Sequence, residues 1–357
     1  MKIISIVGAR PQFIKLAPLH SLSDKLENII IHTGQHFDEN MSTIFFDQMN
    51  LPKPKYNLDI SGGAHGKQTG RMLIGLEEIM IDEKPDLVIV FGDTNSTLAG
   101  SLSASKLGIP LLHIESGLRS FNKSMPEEIN RILSDHCSDF LFAPTKKAIE
   151  NLQIEGLGEK AFLTGDIMVD SVNLFLSEAR RKSKIIEGLD LTDQDYYLLT
   201  LHRPYNVDDP EKISLILSML SNIDKRIVFP VHPRTKQIIN KYNIKINENI
   251  LLLDPLGYFD FLVLQDNSHK ILTDSGGIQK EAYILQKPCI TIRPETEWVE
   301  TVDAGWNKLI NPNLKNYKEL ASIISSFTPP DNQEYIFGQN VSYNMKEIII
   351  KILNDEK

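Results

Sequence analysis

The chain has 357 residues, 41% of them hydrophobic, which suits two domains with two buried cores. A formal net charge of −9 argues against a nucleic-acid partner, because phosphate backbones select clustered Lys and Arg. No apolar run is long enough to span a bilayer, and the opening "MKIISIVGARPQF" lacks the long apolar core and small-residue cleavage site of a secretory leader, so a cytoplasmic protein without a membrane partner is expected.

Strand-like runs alternate with helix-length segments from the start. The first series is "KIISIV" (2–7), "NIIIHTG" (28–34), "DLVIVFGD" (86–93), "PLLHIES" (110–116) and "DFLFAP" (139–144). A second follows: "YYLLTLH" (196–202), "RIVFPVH" (226–232), "NILLLDP" (249–255), "KILTDSG" (270–276) and "PCITIRP" (288–294). Such alternation predicts an α/β protein of βαβ units around parallel sheets. Two doubly wound domains fit better than one sheet. The expected boundary lies near "GDIMVDSV" (165–172), giving domains 1–167 and 168–342, with a closing helix over 343–357 that packs on either, the N-terminal one included. Cys137 and Cys289 both stand in apolar surroundings and read as reduced core residues, not as a disulfide or a metal site.

In open α/β sheets ligands bind beyond the carboxyl ends of the strands. The polar residues there are Arg10, Asp93, His113 with Glu115, His202 with Arg203, His232 with Arg234, Asp274 with Ser275, and Arg293. Both halves contribute, which points to a cleft between two domains.

The motifs, taken in order, begin with "GARPQFIK" (8–15), where an arginine stands at a strand tip that a nucleotide-binding fold would give to glycine. "FGDTNSTLAG" (91–100) and "HIESGLRS" (113–120) each put an acid at a strand end. Asp93 reads either as a site acid or as the cap of a helix beginning near Thr94. Glu115 is expected inside an apolar strand, where an unpaired carboxylate is costly and therefore suggestive of function. "MPEEINRILSDHCSDFLF" (125–142) predicts an amphipathic helix opening at Pro126. Its buried stripe is expected to be Ile129, Ile132, Leu133, His136 and Phe140, with Glu127, Asn130, Arg131 and Ser134 on the other face. Glu127 is either an ordinary i,i+4 partner of Arg131 or a member of an acid group with Glu115 and Asp93 that moves protons.

His202 and His232 end successive strands outside any zinc-ligand spacing, so no metal is expected. "DSGGIQKEAYIL" (274–285) is the strongest local anion signal: a strand ends, Ser275-Gly276-Gly277 permits close backbone approach, and a helix N-terminus follows. Glu281 on that helix needs a hydroxyl or a cation, a ribose diol or an internal salt bridge. Walker A, G-x-S-x-G and G-x-G-x-x-G are absent from the sequence, against NTPase, serine hydrolase and dinucleotide readings.

Taken together, "GARPQFIK", "GDTNSTLAG" (92–100), "HIESGLRS", "MPEEINR" (125–131), "LHRPYN" (201–206), "PVHPRT" (230–235) and "LTDSGGIQKEA" (272–282) resemble the non-hydrolysing UDP-N-acetylglucosamine 2-epimerases over nearly the whole chain. The resemblance implies a glycosyltransferase-B-type fold, two Rossmann-like domains with a UDP-sugar in the cleft between them, usually as a homodimer and without a cofactor. It implies that Arg10 reaches the UDP end of the substrate, with Lys15 a second basic group. Asp93, Glu115 and Glu127 correspond to acids implicated in proton transfer at C2, Arg131 to their neighbour, and His202 to a histidine near the departing UDP. Ser275, Gly276 and Gly277 match the phosphate-binding helix start, Glu281 the ribose contact, Phe261 a residue near the uracil, and Arg293 a further active-site arginine. The reaction implied is loss of the C2 proton as UDP leaves C1, giving a 2-acetamidoglucal, then reprotonation on the opposite face.

Three departures stand out: Gln12 where an acid is common, Ser116 for alanine, and "TGQHFDENM" (33–41) in place of the pattern found in the branch regulated by its own substrate. With "GGAHGKQTGRML" (62–73), "SGLRSFNKSMPEE" (116–128) and "ETEWVE" (295–300), the chain is similar to the sub-branch acting on UDP-2,3-diacetamido-2,3-dideoxy-glucuronate, an enzyme of bacterial surface-polysaccharide synthesis. A uronate needs an extra cation, and Arg119, Lys123 and Lys67 are the candidates. A glycosyltransferase of the same fold, a hydrolysing epimerase and a catalytically silent nucleotide-sugar sensor are the alternatives; retention of Asp93, Glu115 and Glu127 counts against the first and last.

Overall fold

A computed structural model describes residues 1–20, 26–35, 49, 51–312 and 317–355. The chain divides into two compact units, 1–174 with 335–357, and 175–334. In the first unit the strands are β1 (Lys2–Val7), β2 (Glu27–His32), β3 (Tyr56–Asn57), β4 (Leu87–Phe91), β5 (Leu111–Ile114), β6 (Phe140–Ala143) and β7 (Ala161–Leu163). They form one sheet ordered β3-β2-β1-β4-β5-β6-β7, and the neighbours pair in parallel. The second unit holds β8 (Tyr196–Thr200), β9 (Arg226–Pro230), β10 (Ile250–Leu253), β11 (Lys270–Thr273), β12 (Cys289–Thr291) and β13 (Asn307–Leu309). These are also parallel, in the order β10-β9-β8-β11-β12-β13.

The central strands are buried on both faces, which is why they read as unbroken apolar runs such as "LVIVF" in β4. Turns between them use local chemistry. Thr94 and Thr97 form a reciprocal capping box at the start of the helix Asn95–Leu107, and Gly108 closes it in the left-handed region. Asp209 caps Pro210–Leu220 by accepting from the Glu211 and Lys212 N–H groups. The helix Val341–Asp355 belongs to the first unit, where the Ser342 hydroxyl donates to Asp170. Among the described residues no helix is long and apolar enough to cross a membrane.

Both sheets reverse direction once. The chain leaves β1 toward β2 and β3, then returns to place β4 on the other side of β1; β8 and β11 repeat the arrangement. At each reversal the two flanking loops diverge and leave a crevice beyond the carboxyl ends of the strands. Gly8 shows how tightly the first such loop is packed: a Cβ there would lie 2.1 Å from Thr33 Oγ1 and 2.2 Å from Ser96 Oγ.

One helix is oriented opposite to expectation. Pro126–Cys137 buries Glu128, Asn130, Arg131, Ser134 and Asp135, while Ile129 and Leu133 are 39% and 42% exposed. The reason is that its inner face meets charged and polar partners. Glu128 accepts from the Ser120 and Phe121 N–H groups, and Asp135 is paired with His113 and Arg119. Buried charge is tolerated when each group is matched in this way.

Candidate active site

At the β1/β4 reversal the loop Gly8-Ala9-Arg10 leads into the helix Arg10–His20, with Arg10 half-buried at its first position. The loop is held by Gln12, which is fully buried. Its Oε1 accepts from the N–H groups of Gly8 (2.8 Å) and Ala9 (3.0 Å), and its Nε2 donates to the Phe91 carbonyl at 2.8 Å. A carboxylate at this position has no proton for the Phe91 carbonyl. The departure at Gln12 is therefore an amide that ties the tip of β1 to the tip of β4.

Lys15, buried one turn further along, is ion-paired with Glu115. Glu115 is not an unpaired acid inside a strand, as expected, but lies just past β5 with φ of 72°. A non-glycine residue in that conformation costs about 1–3 kcal/mol, so the surrounding structure holds it there. Asp93 does not cap the helix; Thr94 does. The Asp93 carboxylate instead takes Arg131 Nε at 3.1 Å and Nη2 at 2.9 Å, while Asn130 donates to its carbonyl. Arg131 is gripped on its other side by Glu128, 2.5 Å away. Burial pushes the Glu128 carboxyl up, but the Ser120 N–H, the Arg131 charge and the Phe121 N–H outweigh it and hold the group below its ordinary range. Glu127 is half-buried on the same turn.

Of the three cations considered for a uronate, Arg119 is already engaged. It is buried, with Nε and Nη2 on Glu155 at 2.7 and 2.6 Å and Nη1 on Asp135 at 2.7 Å. Lys67 and Lys123 are exposed. Residues 36–41 of "TGQHFDENM" lie outside the described residues.

At the β8/β11 reversal His202 is the central group. Its side chain is 43% exposed and its Nδ1 lies 3.2 Å from the fully buried Asp274. Asp274 also accepts from the N–H groups of His202 and Arg203 and from Asn206 Nδ2. Burial pushes the Asp274 carboxyl up, yet the His202 hydrogen bond and charge, with Asn206 and Arg203, hold it below the ordinary carboxylate range. An ionised Asp274 fixes the Nδ1 side of the ring and leaves Nε2 as its other polar edge.

Ser275 stands at the cap position and the helix runs Gly276–Ile284, as the motif predicts. The glycines differ in purpose. A Cβ on Gly276 would lie 2.1 Å from Glu297 Oε1, whereas at Gly277 the nearest atom is Ser275 Oγ at 3.9 Å. A side chain at Gly276 would have to displace the Glu297 carboxylate, whereas a Cβ at Gly277 would meet only ordinary contact. Glu281 is buried and receives Gln265 Nε2 at 2.6 Å. Arg293, buried, is paired with Glu297 at 2.9 Å. Phe261, on the helix Tyr258–Asn267, packs against the core containing Leu264 and Ala282.

Sequence reasoning missed Gln12 and Glu128 as site builders, and it placed Asp274 at its strand end without pairing it with His202. All three lie inside the motifs already singled out; the signal was their place at strand tips or beside site residues.

A model of the UDP-N-acetylglucosamine 2-epimerase family matches residues 20–353. The chain belongs to this family. A UDP-N-acetylglucosamine 2-epimerase of Methanocaldococcus jannaschii is 49% identical over 99% of this chain and 99% of its own. The UDP-2,3-diacetamido-2,3-dideoxy-D-glucuronate 2-epimerase of Pseudomonas aeruginosa is 46% identical over 99% of this chain and 100% of its own. The crystal structure of the Methanocaldococcus jannaschii UDP-GlcNAc 2-epimerase in complex with UDP-GlcNAc and UDP superposes with a TM-score of 0.91 at 45% identity, covering 99% of this chain and 100% of that one. As a member of the family the protein is an epimerase acting on a UDP-sugar, of the non-hydrolysing UDP-GlcNAc type. Its two parallel sheets are those of the glycosyltransferase-B type of fold.

Proposed function

We propose that the protein inverts C2 of UDP-2,3-diacetamido-2,3-dideoxy-glucuronate by eliminating UDP to a 2-acetamidoglucal, reprotonating C2 on the opposite face and returning UDP to C1 on the face it left, with UDP-N-acetylglucosamine as the second reading. The observation that carries the reaction is the pair of cation-matched acids in the loops after β4 and β5, Asp93 with Arg131 and Glu115 with Lys15. Inversion needs one group to take the C2 proton and another to return it on the other face. A cation beside each acid fixes the carboxylate in place and offsets its charge while it is ionised in a partly buried site. Glu127 is the third acid of this set.

UDP is assigned to Arg10, the His202 edge, the helix start at Gly276 and Gly277 and the carboxylate of Glu281, with Ser275, Phe261 and Arg293 around them. Helix N–H groups and a guanidinium stabilise the diphosphate as it departs. The relative from Pseudomonas aeruginosa supports the uronate reading, and the relative from Methanocaldococcus jannaschii supports the second. With Arg119 engaged, Lys67 and Lys123 remain as partners for a uronate carboxylate. A product of this kind suits bacterial surface-polysaccharide synthesis. The same reading includes a homodimer, supported by the outward apolar face of Pro126–Cys137, where Ile129 and Leu133 stand beside polar solvent.

Proton NMR in D2O with each sugar in a separate tube tests the reading. Deuterium entering C2 with appearance of the manno epimer identifies the substrate. Release of free sugar and UDP would instead mark a hydrolysing enzyme, and absence of C2 exchange with both sugars would refute both substrates.

A further inference from the structure

Beside the two acid-bearing loops lie three buried ionisable groups, His113, Asp135 and Arg119, to which the reaction assigns no step. His113, in β5, is 0% exposed, and both of its ring nitrogens meet acceptors: Nδ1 is 2.7 Å from Asp135 Oδ1, and Nε2 is 2.7 Å from the Gly92 carbonyl. Asp135, also fully buried, accepts from the Gly117 N–H at 3.0 Å and from Arg119 Nη1 at 2.7 Å. Arg119 continues to Glu155, which His136 Nε2 approaches at 3.3 Å.

A neutral imidazole offers one donor and one acceptor. The Gly92 carbonyl can only accept, so Nε2 must carry a proton. Asp135 is ion-paired with the buried Arg119 guanidinium and takes the Gly117 N–H, as an ionised carboxylate does, so it too acts as an acceptor and Nδ1 must also carry a proton. The contacts are placed where they matter. Gly92 immediately precedes Asp93, and Gly117 follows Glu115 by two residues.

We propose that His113 is a buried imidazolium and that it and Asp135 are positioning residues, fixing the turn that carries Asp93 relative to the turn that carries Glu115. The proposal rests on the assignment of proton transfer to those acids. A buried ion pair is seldom the most stable filling for a core, and apolar side chains of equal volume often do as well. What an apolar pair lacks is directional hold on two separate backbone turns at once.

Two variants and one spectrum test it. His113→Phe fills the space but releases both turns; kcat for C2 exchange should fall on the order of 100-fold, the cost of about 1 Å of misplacement, while KM and UDP affinity stay within about twofold of the parent. Asp135→Asn preserves the shape: its amide donates to Nδ1 of a neutral ring whose Nε2–H still reaches Gly92, and its carbonyl serves Gly117 and Arg119. It should therefore keep far more activity than His113→Phe. Equal losses in the two variants, or a His113→Phe kcat near the parent's, overturn the positioning role. If His113→Phe does not fold, nitrogen-15 NMR of the imidazole in the unaltered protein decides the charge: two protonated ring nitrogens at pH 8 support the imidazolium, and one unprotonated nitrogen overturns that half of the proposal. The spectrum does not depend on which residues catalyse. Normal turnover of Glu115→Gln would sink the proton-transfer assignment while leaving the state of His113 readable.

Discussion

The two units solve one topological problem with different chemistry. Each sheet reverses once, at β1/β4 and at β8/β11, and each reversal brings two strand tips together. In the first unit the loops after β4 and the neighbouring β5 carry carboxylates matched by buried cations, Arg131 on Asp93 and Lys15 on Glu115. In the second the strand tips carry a half-exposed histidine steered by a buried aspartate, beside a helix start with room for a Cβ at Gly277. Under the proposed function the first arrangement exchanges protons and the second presents donors to an anion. Strand order decides where ligand chemistry happens, and a few residues at the tips decide what that chemistry is.

If this division holds, changes on either side should separate kinetically. The largest effect is expected from Glu115→Gln. Epimerisation and C2 exchange should drop by roughly 10²- to 10⁴-fold, the usual worth of a general acid or base, while UDP affinity measured by calorimetry stays near normal. A parallel loss of UDP binding would erase the distinction between the units. Asp274→Asn tests the other side. It removes the charged acceptor of His202, Arg203 and Asn206, and UDP affinity should fall on the order of tenfold, the size of one charge-assisted hydrogen bond. Unaltered affinity would show that His202 does not meet the nucleotide through the edge that Asp274 sets.

The comparison also explains which parts of the molecule were legible in the sequence. Central strands were plain because burial on both faces makes them continuous apolar runs. The short strands β3, β7 and β13 were not, for they are edge strands only two or three residues long and half-exposed in places, so neither length nor periodicity marks them. The helix Pro126–Cys137 was read inside out because its apolar periodicity is real but points outward. Its buried face is ionic, and hydrophobic patterning does not register a buried Asp135 or Arg131 whose partners are distant in sequence. Motif positions were legible at the site, but pairings across 38 residues, as between Asp93 and Arg131, were not. Glu115 shows the same limit: its cost inside an apolar strand was sound reasoning, yet a lysine 100 positions away stands beside it.

That outward apolar face gives a third prediction, confined to the first unit. Ile129→Asp with Leu133→Asp places two charges where a second copy is proposed to dock, on side chains already 39% and 42% exposed in the single chain. The fold should survive, since surface substitutions usually change stability by about 0.5 kcal/mol or less. Sedimentation velocity should show the dimer dissociating to monomer. A variant that sediments as the parent does would place any interface elsewhere.

The smallest effect concerns how each sheet secures an edge. In the second unit β13 is held through a neutral network, with Asn307 bonded to Thr291, Gln279 and Thr301. In the first, β3 is held by charge: Glu83 receives Lys2 at 2.9 Å, with Lys55 and the Tyr56 hydroxyl on its other oxygen. Hydrogen bonds from Lys55, then Tyr56 and Lys2, hold the Glu83 carboxyl down at about 2. The sign follows from linkage. A carboxyl whose value is lower in the folded chain than in the unfolded one stabilises fully above the unfolded value of about 4.5, and that contribution is lost as pH falls toward about 2. Glu83→Gln should therefore lower the melting midpoint modestly at pH 7, because Lys55 is an exposed partner and such pairs contribute little. The difference from the parent should shrink steadily between pH 4.5 and pH 2. Hydrogen exchange over residues 55–57 should quicken in the variant while residues 307–309 stay unchanged. A pH-independent difference would mean that Glu83 secures the edge by packing and not by its charge.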